Sequence, residues 1–286
     1  RRRSRPHGIG LLRRGGLQHR LRIDGLSFNV LDEGVGEPVL LVHGFPDDHT
    51  VWRNQVAALA AAGYRVIAPD TRGCGDSDMA RRTGDYALPR LVADLIGVLD
   101  ALAIHKVKLV GHDWGAVIAW VLAARHPERV ERYAALSVGH AAAYAAGPLE
   151  QKLKGWYVLM FQLRGFAEWL IKAQDWAFFR RFTNHHPELA SWTAKLGRPE
   201  RLTAAINYYR ANIGILLKPD RTKVAVPVMG IYSDGDRYLA KAQMTDSIAY
   251  VDAPFRFELI KGAGHWLQID APEQVNALLI DFFKRI

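Results

Sequence analysis

Apolar and polar positions alternate along this chain in two distinct patterns. Residues 38–43 include a nearly continuous apolar run, which is typical of a strand buried on both faces of a sheet. Residues 88–102 instead repeat apolar side chains at helical spacing, with Pro89 tolerated in the first turn. Because strand-like runs and helix-like stretches follow one another, the pattern predicts a mostly parallel sheet flanked by helices.

The same patterns predict the individual elements. The residues on either side of Gly25 are expected to form an antiparallel pair, and Gly63 is expected to end the first helix. The predicted strands are residues 21–24, 26–31, 38–43, 65–69, 107–111, 130–138, 226–232 and 256–260, and the predicted helices are residues 52–62, 88–102, 114–125, 238–248 and 272–283.

One long segment departs from this alternation. Residues 139–218 contain no convincing strand, and they hold four of the eight tryptophans within amphipathic helical stretches. A helical block inserted in an α/β pattern predicts a cap above the carboxyl edge of the sheet, where ligands bind in open α/β folds. The predicted division is an N-terminal arm at 1–20, an α/β core at 21–138 and 219–286, and an all-helical cap at 139–218.

The net charge of +9 would suit a polyanionic partner, but it is concentrated at one end of the chain. Residues 1–22 hold eight arginines and no acidic residue, so the remaining chain carries only +1. Basic arms of this kind are usually solvated, and we expect residues 1–20 to be disordered. The folded body is therefore not expected to bind nucleic acid.

Cysteine content and apolar run lengths bear on the compartment. The single cysteine, Cys74, precludes an intrachain disulfide, which suits a reducing compartment such as the cytoplasm. No apolar run reaches the ~18 residues that a membrane span needs, so none is expected. The chain also lacks metal-ligand spacing and a phosphate-binding glycine loop, so neither a metal nor a cofactor is expected.

A glycine-flanked aspartate lies between a predicted strand and a predicted helix. Residues 111–115 read Gly-His-Asp-Trp-Gly, the pattern of a sharp turn that lifts a nucleophile above the sheet edge. Asp113 occupies the nucleophile position. An aspartate that begins a helix can also be a simple N-cap, so this interpretation depends on partners further along the chain.

Two later loops supply those partners in the order that the α/β-hydrolase fold uses, namely nucleophile, acid and histidine. Asp236 follows the strand at 226–232, and His265 follows the strand at 256–260. Asp236 would orient His265 and stabilise its charged form, with Asp234 as the alternative acid.

Residues 43–46, His-Gly-Phe-Pro, are expected to complete an oxyanion hole. In this fold one backbone N–H comes from that loop and the other from the residue after the nucleophile, which makes Phe45 and Trp114 the candidate donors. His43 is expected to be structural, and the Phe45–Pro46 bond is a candidate for the cis form.

An aspartate nucleophile points to attack on saturated carbon. The carboxylate can displace a leaving group and form an alkyl ester, which water activated by His265 then cleaves. The substrate would be an epoxide or an alkyl halide. A departing epoxide oxygen is well served by two tyrosine hydroxyls, whereas a halide needs N–H donors or a cation.

From residue 20 to residue 286 the chain resembles the epoxide hydrolases of the α/β-hydrolase fold. The motifs that carry the resemblance are at residues 43–46, 69–78, 111–115, 156–162 and 207–210. One departure is Ala141, where the family often has proline after the Gly139-His140 pair.

The resemblance implies that an epoxide and water form a vicinal diol through an ester on Asp113, without a cofactor. It also implies that Tyr157 and Tyr209 donate to the epoxide oxygen, with Tyr208 as the alternative to Tyr209, and that a homodimer is a possible assembly. The implied substrate contacts are Phe45, Trp114, Tyr157, Tyr209 and Trp266.

Two other functions compete with this one. A haloalkane dehalogenase would use the same aspartate and histidine, although that family commonly has asparagine at the position of Phe45. A ligand receptor on a hydrolase fold would need no catalytic group, and the complete set of Asp113, Asp236 and His265 weighs against it.

Overall fold

A computed structural model describes residues 16–284. Their strands form one eight-stranded sheet in the order β1-β2-β4-β3-β5-β6-β7-β8. The strands are β1 (Leu17–Ile23), β2 (Leu26–Glu33), β3 (Glu37–Val42), β4 (Tyr64–Pro69), β5 (Val107–His112), β6 (Val130–Leu136), β7 (Val228–Ser233) and β8 (Phe255–Ile260).

All neighbours from β4 to β8 run parallel, whereas β1 and β2 are antiparallel additions at one edge. The central strand β5 lies between β3 and β6, and all six of its residues are buried. Because these strands are parallel, the loops after β3, β5, β7 and β8 leave the sheet at one edge. That edge carries the loops in which the motifs place Phe45, Asp113, Asp236 and His265.

Helices cover the sheet and fill the segment between β6 and β7. They are α1 (Arg53–Ala61), α2 (Leu88–Ala101), α3 (Trp114–Arg125), α4 (Ala141–Ala146), α5 (Leu149–Lys154), α6 (Tyr157–Met160), α7 (Phe166–Phe182), α8 (Leu189–Gly197), α9 (Arg201–Ala211), α10 (Lys241–Thr245), α11 (Leu267–Asp270) and α12 (Pro272–Lys284). Helix α7 is interrupted at 173–176, where the backbone leaves helical geometry.

The mostly parallel sheet, its flanking helices and the helical insertion are confirmed. Every predicted strand is present, and the predicted helix at 114–125 coincides with α3. The boundaries of the insertion at 139 and 218 stay a prediction. No helix between residues 16 and 284 combines the length and the apolar character that a membrane crossing requires.

The helix predicted at 238–248 is wrong in its extent. The chain forms only the short α10, followed by a 3-10 turn at Asp246–Tyr250. Before α10, the Asp236 carboxylate accepts the backbone N–H groups of Tyr238 and Leu239, which holds those residues in a turn. These local hydrogen bonds compete with the helix that the apolar spacing favours.

The arm predicted at 1–20 also needs correction, because residues 17–20 are the beginning of β1. Their partners are residues 29–32 of β2, and Leu17 pairs with Asp32. β1 is an edge strand whose side chains are largely exposed, so residues 17–20 show little apolar alternation from which a strand could be predicted. The expected disorder of residues 1–15 falls outside the described residues.

Candidate active site

Asp113 lies at the tip of the turn between β5 and α3. Its backbone has φ 52° and ψ −123°, a conformation that non-glycine residues adopt rarely and that clusters at functional sites. The turn is possible because Gly115 lies against β3, where a side chain would collide with the carbonyl oxygen of Val42. The strained turn therefore presents the Asp113 carboxylate above the sheet edge, as the motif predicts.

The loop after β3 brings a backbone donor to this carboxylate. The N–H of Phe45 donates to Asp113 Oδ1 at 2.7 Å, and the Phe45–Pro46 peptide is cis. A side chain on Gly44 would collide with Asp113, and its Cβ would lie 2.6 Å from Trp114 N. Of the two expected oxyanion donors, Phe45 N therefore binds one oxygen of Asp113, and Trp114 N lies beside Gly44, the residue before Phe45.

The imidazole of His265 lies between two carboxylates. Its Nδ1 is 2.8 Å from Asp236 Oδ2, and its Nε2 is 3.5 Å from Asp113 Oδ2. Asp234, the alternative acid, instead accepts the backbone N–H of Gly262 at 2.8 Å. The geometry thus brings Asp113, His265 and Asp236 together and leaves Asp234 outside the group.

Opposite charges dominate this buried pair. Burial alone would lower the pKa of His265, but the carboxylates of Asp236 and Asp113 outweigh it and raise that pKa above its usual value. Burial would likewise raise the pKa of Asp113, but its contacts with His265 lower it. At neutral pH, Asp113 is therefore an ionised carboxylate beside an imidazolium.

The position of His265 depends on groups that the sequence did not single out for this purpose. Its backbone carbonyl accepts His112 Nε2 at 2.9 Å and the Ser137 hydroxyl at 2.9 Å. Burial lowers the pKa of His112 to about 3, so this imidazole is neutral and donates through Nε2. His112 directly precedes the nucleophile in the sequence, and this place in the turn is the signal from which its role in positioning His265 could have been predicted.

Tyr157 on α6 and Tyr209 on α9 reach the same region from the cap. Their ring centroids are 6.0 Å apart, and the Tyr209 ring packs against Trp114 at 5.1 Å and Phe45 at 5.8 Å. Burial raises the pKa of both hydroxyls well above the usual value for tyrosine. Both are therefore neutral O–H donors next to Asp113.

Tyr208, the alternative to Tyr209, is directed elsewhere. Its hydroxyl donates to the carbonyl of Arg72 at 2.6 Å and lies 3.0 Å from the Thr71 hydroxyl. Consecutive residues of a helix are turned by about 100° from each other, so the two tyrosines face different surroundings. Tyr209 is the residue that shares a cavity with Asp113.

That cavity is apolar and has an empty volume of about 680 Å³, which includes the part open to solvent. Asp113 and Trp114 line it from the core, and Tyr157 and Tyr209 line it from the cap. Tyr144 of α4, which the sequence did not single out, also lines it. Its remaining lining includes Val117, Val138, Val158, Ile213, Ile215 and Leu216.

Trp266, expected to contact substrate, lines a smaller space whose lining also includes Asp113, Tyr157 and Tyr209. It lines smaller spaces together with His265 and Tyr238. Its indole N–H donates to Asp47 Oδ2 at 3.0 Å, which fixes the ring. Trp266 is thus absent from the lining of the 680 Å³ cavity.

Asp47 is a buried carboxylate that the sequence did not single out. It accepts the indole N–H of Trp192 on α8 at 2.7 Å as well as that of Trp266. Burial raises its pKa to about 7, although both indole hydrogen bonds oppose that shift. Asp47 therefore joins the cap to the loop that carries His265.

Two other polar groups of this edge are engaged within the protein. His43 Nε2 accepts the backbone N–H of Thr71 at 3.0 Å, in keeping with the structural role expected of it. Asp48, His49 and Asp70 lie close enough to share an ion, but His49 Nδ1 is 2.6 Å from Asp70, and Asp48 pairs with Lys195 at 2.6 Å. These contacts describe an ion-pair network, and we propose no metal there.

Comparison with known proteins fits this geometry. The α/β-hydrolase fold model matches residues 37–272, which is most of the chain. The chain belongs to the α/β-hydrolase fold family. This α/β-hydrolase is 33% identical to "Epoxide hydrolase 3" of Xenopus tropicalis, over 93% of this chain and 77% of that protein. It is 32% identical to "Epoxide hydrolase A" of Mycobacterium tuberculosis, over 91% of this chain and 94% of that protein.

Solved structures agree with the sequence relatives. An epoxide hydrolase from Vigna radiata superimposes on this α/β-hydrolase with a TM-score of 0.83 at 28% identity, covering 95% of this chain and 99% of that one. Epoxide hydrolase A from Mycobacterium thermoresistibile gives a TM-score of 0.82 at 28% identity, covering 94% and 98%. The resemblance to epoxide hydrolases that the motifs predicted is confirmed.

Proposed function

We propose that this α/β-hydrolase converts an epoxide and water into a vicinal diol through a covalent ester on Asp113. The observation that carries the proposal is the position of two neutral tyrosine hydroxyls across an apolar cavity from an ionised carboxylate. The carboxylate supplies the nucleophile, and the hydroxyls supply the proton that a departing epoxide oxygen needs.

In the first half-reaction, Asp113 Oδ2 attacks one epoxide carbon, and the C–O bond of the ring breaks. We assign the attack to Oδ2 because Phe45 N–H already holds Oδ1. The electron pair of the broken bond moves to the epoxide oxygen, which takes a proton from Tyr157 or Tyr209. The product is a hydroxyalkyl ester of Asp113 and a tyrosinate.

In the second half-reaction, His265 takes a proton from a water molecule as that water attacks the ester carbonyl. The negative charge that develops on the carbonyl oxygen is stabilised by the N–H groups of Phe45 and Trp114. The intermediate collapses with cleavage of the bond between the carbonyl carbon and the alkyl oxygen, the alkoxide takes the proton from His265 and leaves as the diol, and the Asp113 carboxyl proton returns to His265. His265 can act as a base because esterification has removed the charge of Asp113 and with it one source of the raised pKa, so that the imidazolium first gives its proton to the tyrosinate.

The alternative reaction, displacement of a halide, fits the cavity less well. A halide would need N–H donors facing Asp113, yet the Asn212 amide in the cavity lining already donates to two backbone carbonyls, and the Trp114 ring packs edge-to-face against the Tyr209 ring. The groups that can give a proton across the cavity are phenols. They can give a proton to an alkoxide, which a departing halide does not need.

A substrate panel tests the reaction class. Purified full-length protein is incubated with styrene oxide, a bromoalkane and a p-nitrophenyl ester, and diol, bromide and nitrophenol are measured. We expect diol formation and little of the other two products. Bromide release without diol formation would replace the epoxide with a halide as the substrate.

Isotope labelling tests the role of Asp113. In a single turnover in ¹⁸O-labelled water, we expect the label to enter the Asp113 carboxylate, because water attacks the ester carbonyl and not the substrate carbon. We also expect Asp113→Ala to lower the turnover by about 10⁴-fold or more. Label found only in the diol after one turnover would contradict the covalent route.

We further propose that the enzyme works in the cytoplasm. Cys74 is the single cysteine, and burial raises its pKa to about 12, so the thiol stays protonated and unreactive. A chain with no disulfide suits a reducing compartment. Immunolocalisation of the protein in its own cells tests this proposal, and secretion would contradict it.

A further inference from the structure

Apolar side chains are concentrated on the outer surface of the cap. Among residues 16–284, twelve large apolar side chains are exposed, and seven of them fall within residues 149–169. They follow one another at intervals of three or four residues through α5, α6, the turns that connect them and the beginning of α7. We call them the apolar ridge: Leu149, Leu153, Trp156, Leu159, Leu163, Phe166 and Trp169. An exposed apolar patch of this kind marks an interaction surface.

Basic residues outnumber acidic ones in the segment that carries the ridge. Residues 149–182 contain six basic and three acidic side chains. Each acid is in an ion pair, namely Glu150 with Lys154, Asp175 with Arg180, and Glu168 with Arg210. Within this segment, all of which the structure describes, four exposed cations form no ion pair with a described residue: Lys152, Arg164, Lys172 and Arg181. The segment that carries the ridge therefore complements a negatively charged partner.

The ridge also borders the candidate active site. Leu159 on α6 is 66% exposed, while the two residues before it, Tyr157 and Val158, line the 680 Å³ cavity. A partner on the ridge would therefore lie within a few side chains of the cavity. An apolar molecule dissolved in that partner would have a short path to Asp113.

We propose that the apolar ridge docks onto the surface of an anionic lipid bilayer. Leucine, tryptophan and phenylalanine side chains insert at the boundary of headgroups and acyl chains, and lysine and arginine bind anionic headgroups. A symmetric contact between two copies fits less well, because it would bring the unpaired cations of both copies, such as Lys152 and Lys172, into one interface. Docking does not require the proposed reaction, whereas delivery of a lipid-dissolved epoxide rests on it.

Vesicle binding tests the proposal with the full-length protein. Sedimentation is compared for phosphatidylcholine vesicles with and without about one third phosphatidylserine. We expect strong binding only when the anionic lipid is present, and weaker binding as salt is raised. Equal binding to both kinds of vesicle, or none to either, would overturn the proposal.

The arginine-rich arm could also bind anionic lipid, so a second readout must report on the ridge itself. Residues 1–20 contain no tryptophan, whereas Trp156 and Trp169 are the exposed large aromatics of the ridge with indole rings. Brominated lipids should quench the tryptophan fluorescence of the bound protein. The Trp156→Phe, Trp169→Phe double variant should still bind but lose most of that quenching. Binding without quenching in the unmodified protein would assign the lipid contact to the arm and overturn the proposal.

Matched variants separate the ridge from general surface effects. Lys152→Glu with Lys172→Glu should weaken binding by at least tenfold, because each basic residue near an anionic surface contributes several-fold. Leu163→Ser with Phe166→Ser should weaken binding by a similar factor. The controls are Lys106→Glu with Lys261→Glu and Val35→Ser with Ile248→Ser, which change exposed residues outside the ridge and should stay within about twofold. Equal losses in variants and controls would overturn the proposal.

Two further measurements separate membrane docking from loss of catalysis and from dimer formation. Turnover of a water-soluble epoxide should be unchanged in the ridge variants, so loss of docking can be told apart from failure of the proposed reaction. Light scattering of the unmodified protein should show no dimer that is lost in the Leu163→Ser, Phe166→Ser variant. Such a dimer would assign the ridge to a second copy of the chain and overturn the proposal.

Discussion

The two halves of the candidate active site are held in different ways. In the core half, hydrogen bonds fix the polar atoms, as Phe45 N–H does for Asp113 and Asp236 does for His265. In the cap half, ring packing fixes Tyr157 and Tyr209, and the Tyr157 hydroxyl has no hydrogen bond to any described residue. Charges that must exist before substrate arrives are thus fixed by the protein, whereas donors needed during ring opening remain available to the substrate.

The largest expected effect breaks the core half. His265→Gln removes the base of the second half-reaction, so turnover should fall by about 10³-fold or more. The first half-reaction does not need this base, and the ester should therefore accumulate. Mass spectrometry after incubation with epoxide should show the protein heavier by one substrate molecule. An unmodified mass with turnover lost would place His265 in the first step instead.

A second test breaks the cap half. Tyr157→Phe and Tyr209→Phe should each slow ester formation by about a hundredfold, because each removes one of two hydrogen bonds to the departing oxygen, and the double variant should lose more, because no hydroxyl then remains to supply the proton. Tyr208→Phe is the matched control, since it removes a hydroxyl that faces Arg72 and not the cavity. Stopped-flow measurement of a single turnover isolates this step. A slower step in the control than in Tyr209→Phe would exchange the two assignments.

A third test sharpens the comparison by moving one charge. Burial lowers the pKa of His265, while Asp236 and Asp113 raise it. Asp113→Ala removes one of those carboxylates, so the pKa of His265 should fall by about one unit or more. An NMR titration of the imidazole, assigned with His265→Gln, measures it. An unchanged or higher pKa would show that Asp113 does not control the protonation of His265.

The smallest expected effect lies where the halves meet, at Asp47. Burial raises its pKa to about 7, well above the unfolded value near 3.8. Between these values the folded protein binds more protons than the unfolded chain, so its stability falls as pH rises, by at most about 1.4 kcal/mol per pH unit. Asp47→Asn removes this contribution.

Urea unfolding of both proteins between about pH 4 and pH 8 measures the effect, because the linkage applies to the difference between them. The stability of the unmodified protein relative to Asp47→Asn should decrease up to about pH 7 and then level off. Parallel stability curves would mean that the Asp47 carboxylate is ionised throughout this range.

Predictability from sequence differs between the same two parts of the molecule. The core could be predicted because buried parallel strands are continuous apolar runs, and because the loops after β5, β7 and β8 must meet at one sheet edge. Topology alone therefore brings together the loops that carry Asp113, His265 and the acid. The spacing, by contrast, does not distinguish Asp236 from Asp234, because both are turn residues. Only the hydrogen bond to His265 identifies Asp236 as the acid of the site.

Cap residues were harder to predict from first principles. Tyr157 and Tyr209 came from family resemblance, and Tyr144 was missed because a tyrosine on a helix gives no sign of facing a cavity.

Asp47, in the loop after β3, was missed because its partners, Trp192 and Trp266, are 145 and 219 residues away. Contacts this distant depend on tertiary packing, which local patterns do not record.

The rotation of α9 about its own axis decides which hydroxyl serves the cavity. Arg210 fixes that rotation through two hydrogen bonds to Glu168, at 2.7 and 3.0 Å, and Tyr208 fixes it again through Arg72. One inserted residue before Tyr208 would turn the remainder of the helix by about 100°, which would move Tyr208 into the present position of Tyr209 and Tyr209 into that of Arg210. Because the two tyrosines are adjacent, this enzyme is therefore more sensitive to a shift in the register of α9 than to the choice of amino acid.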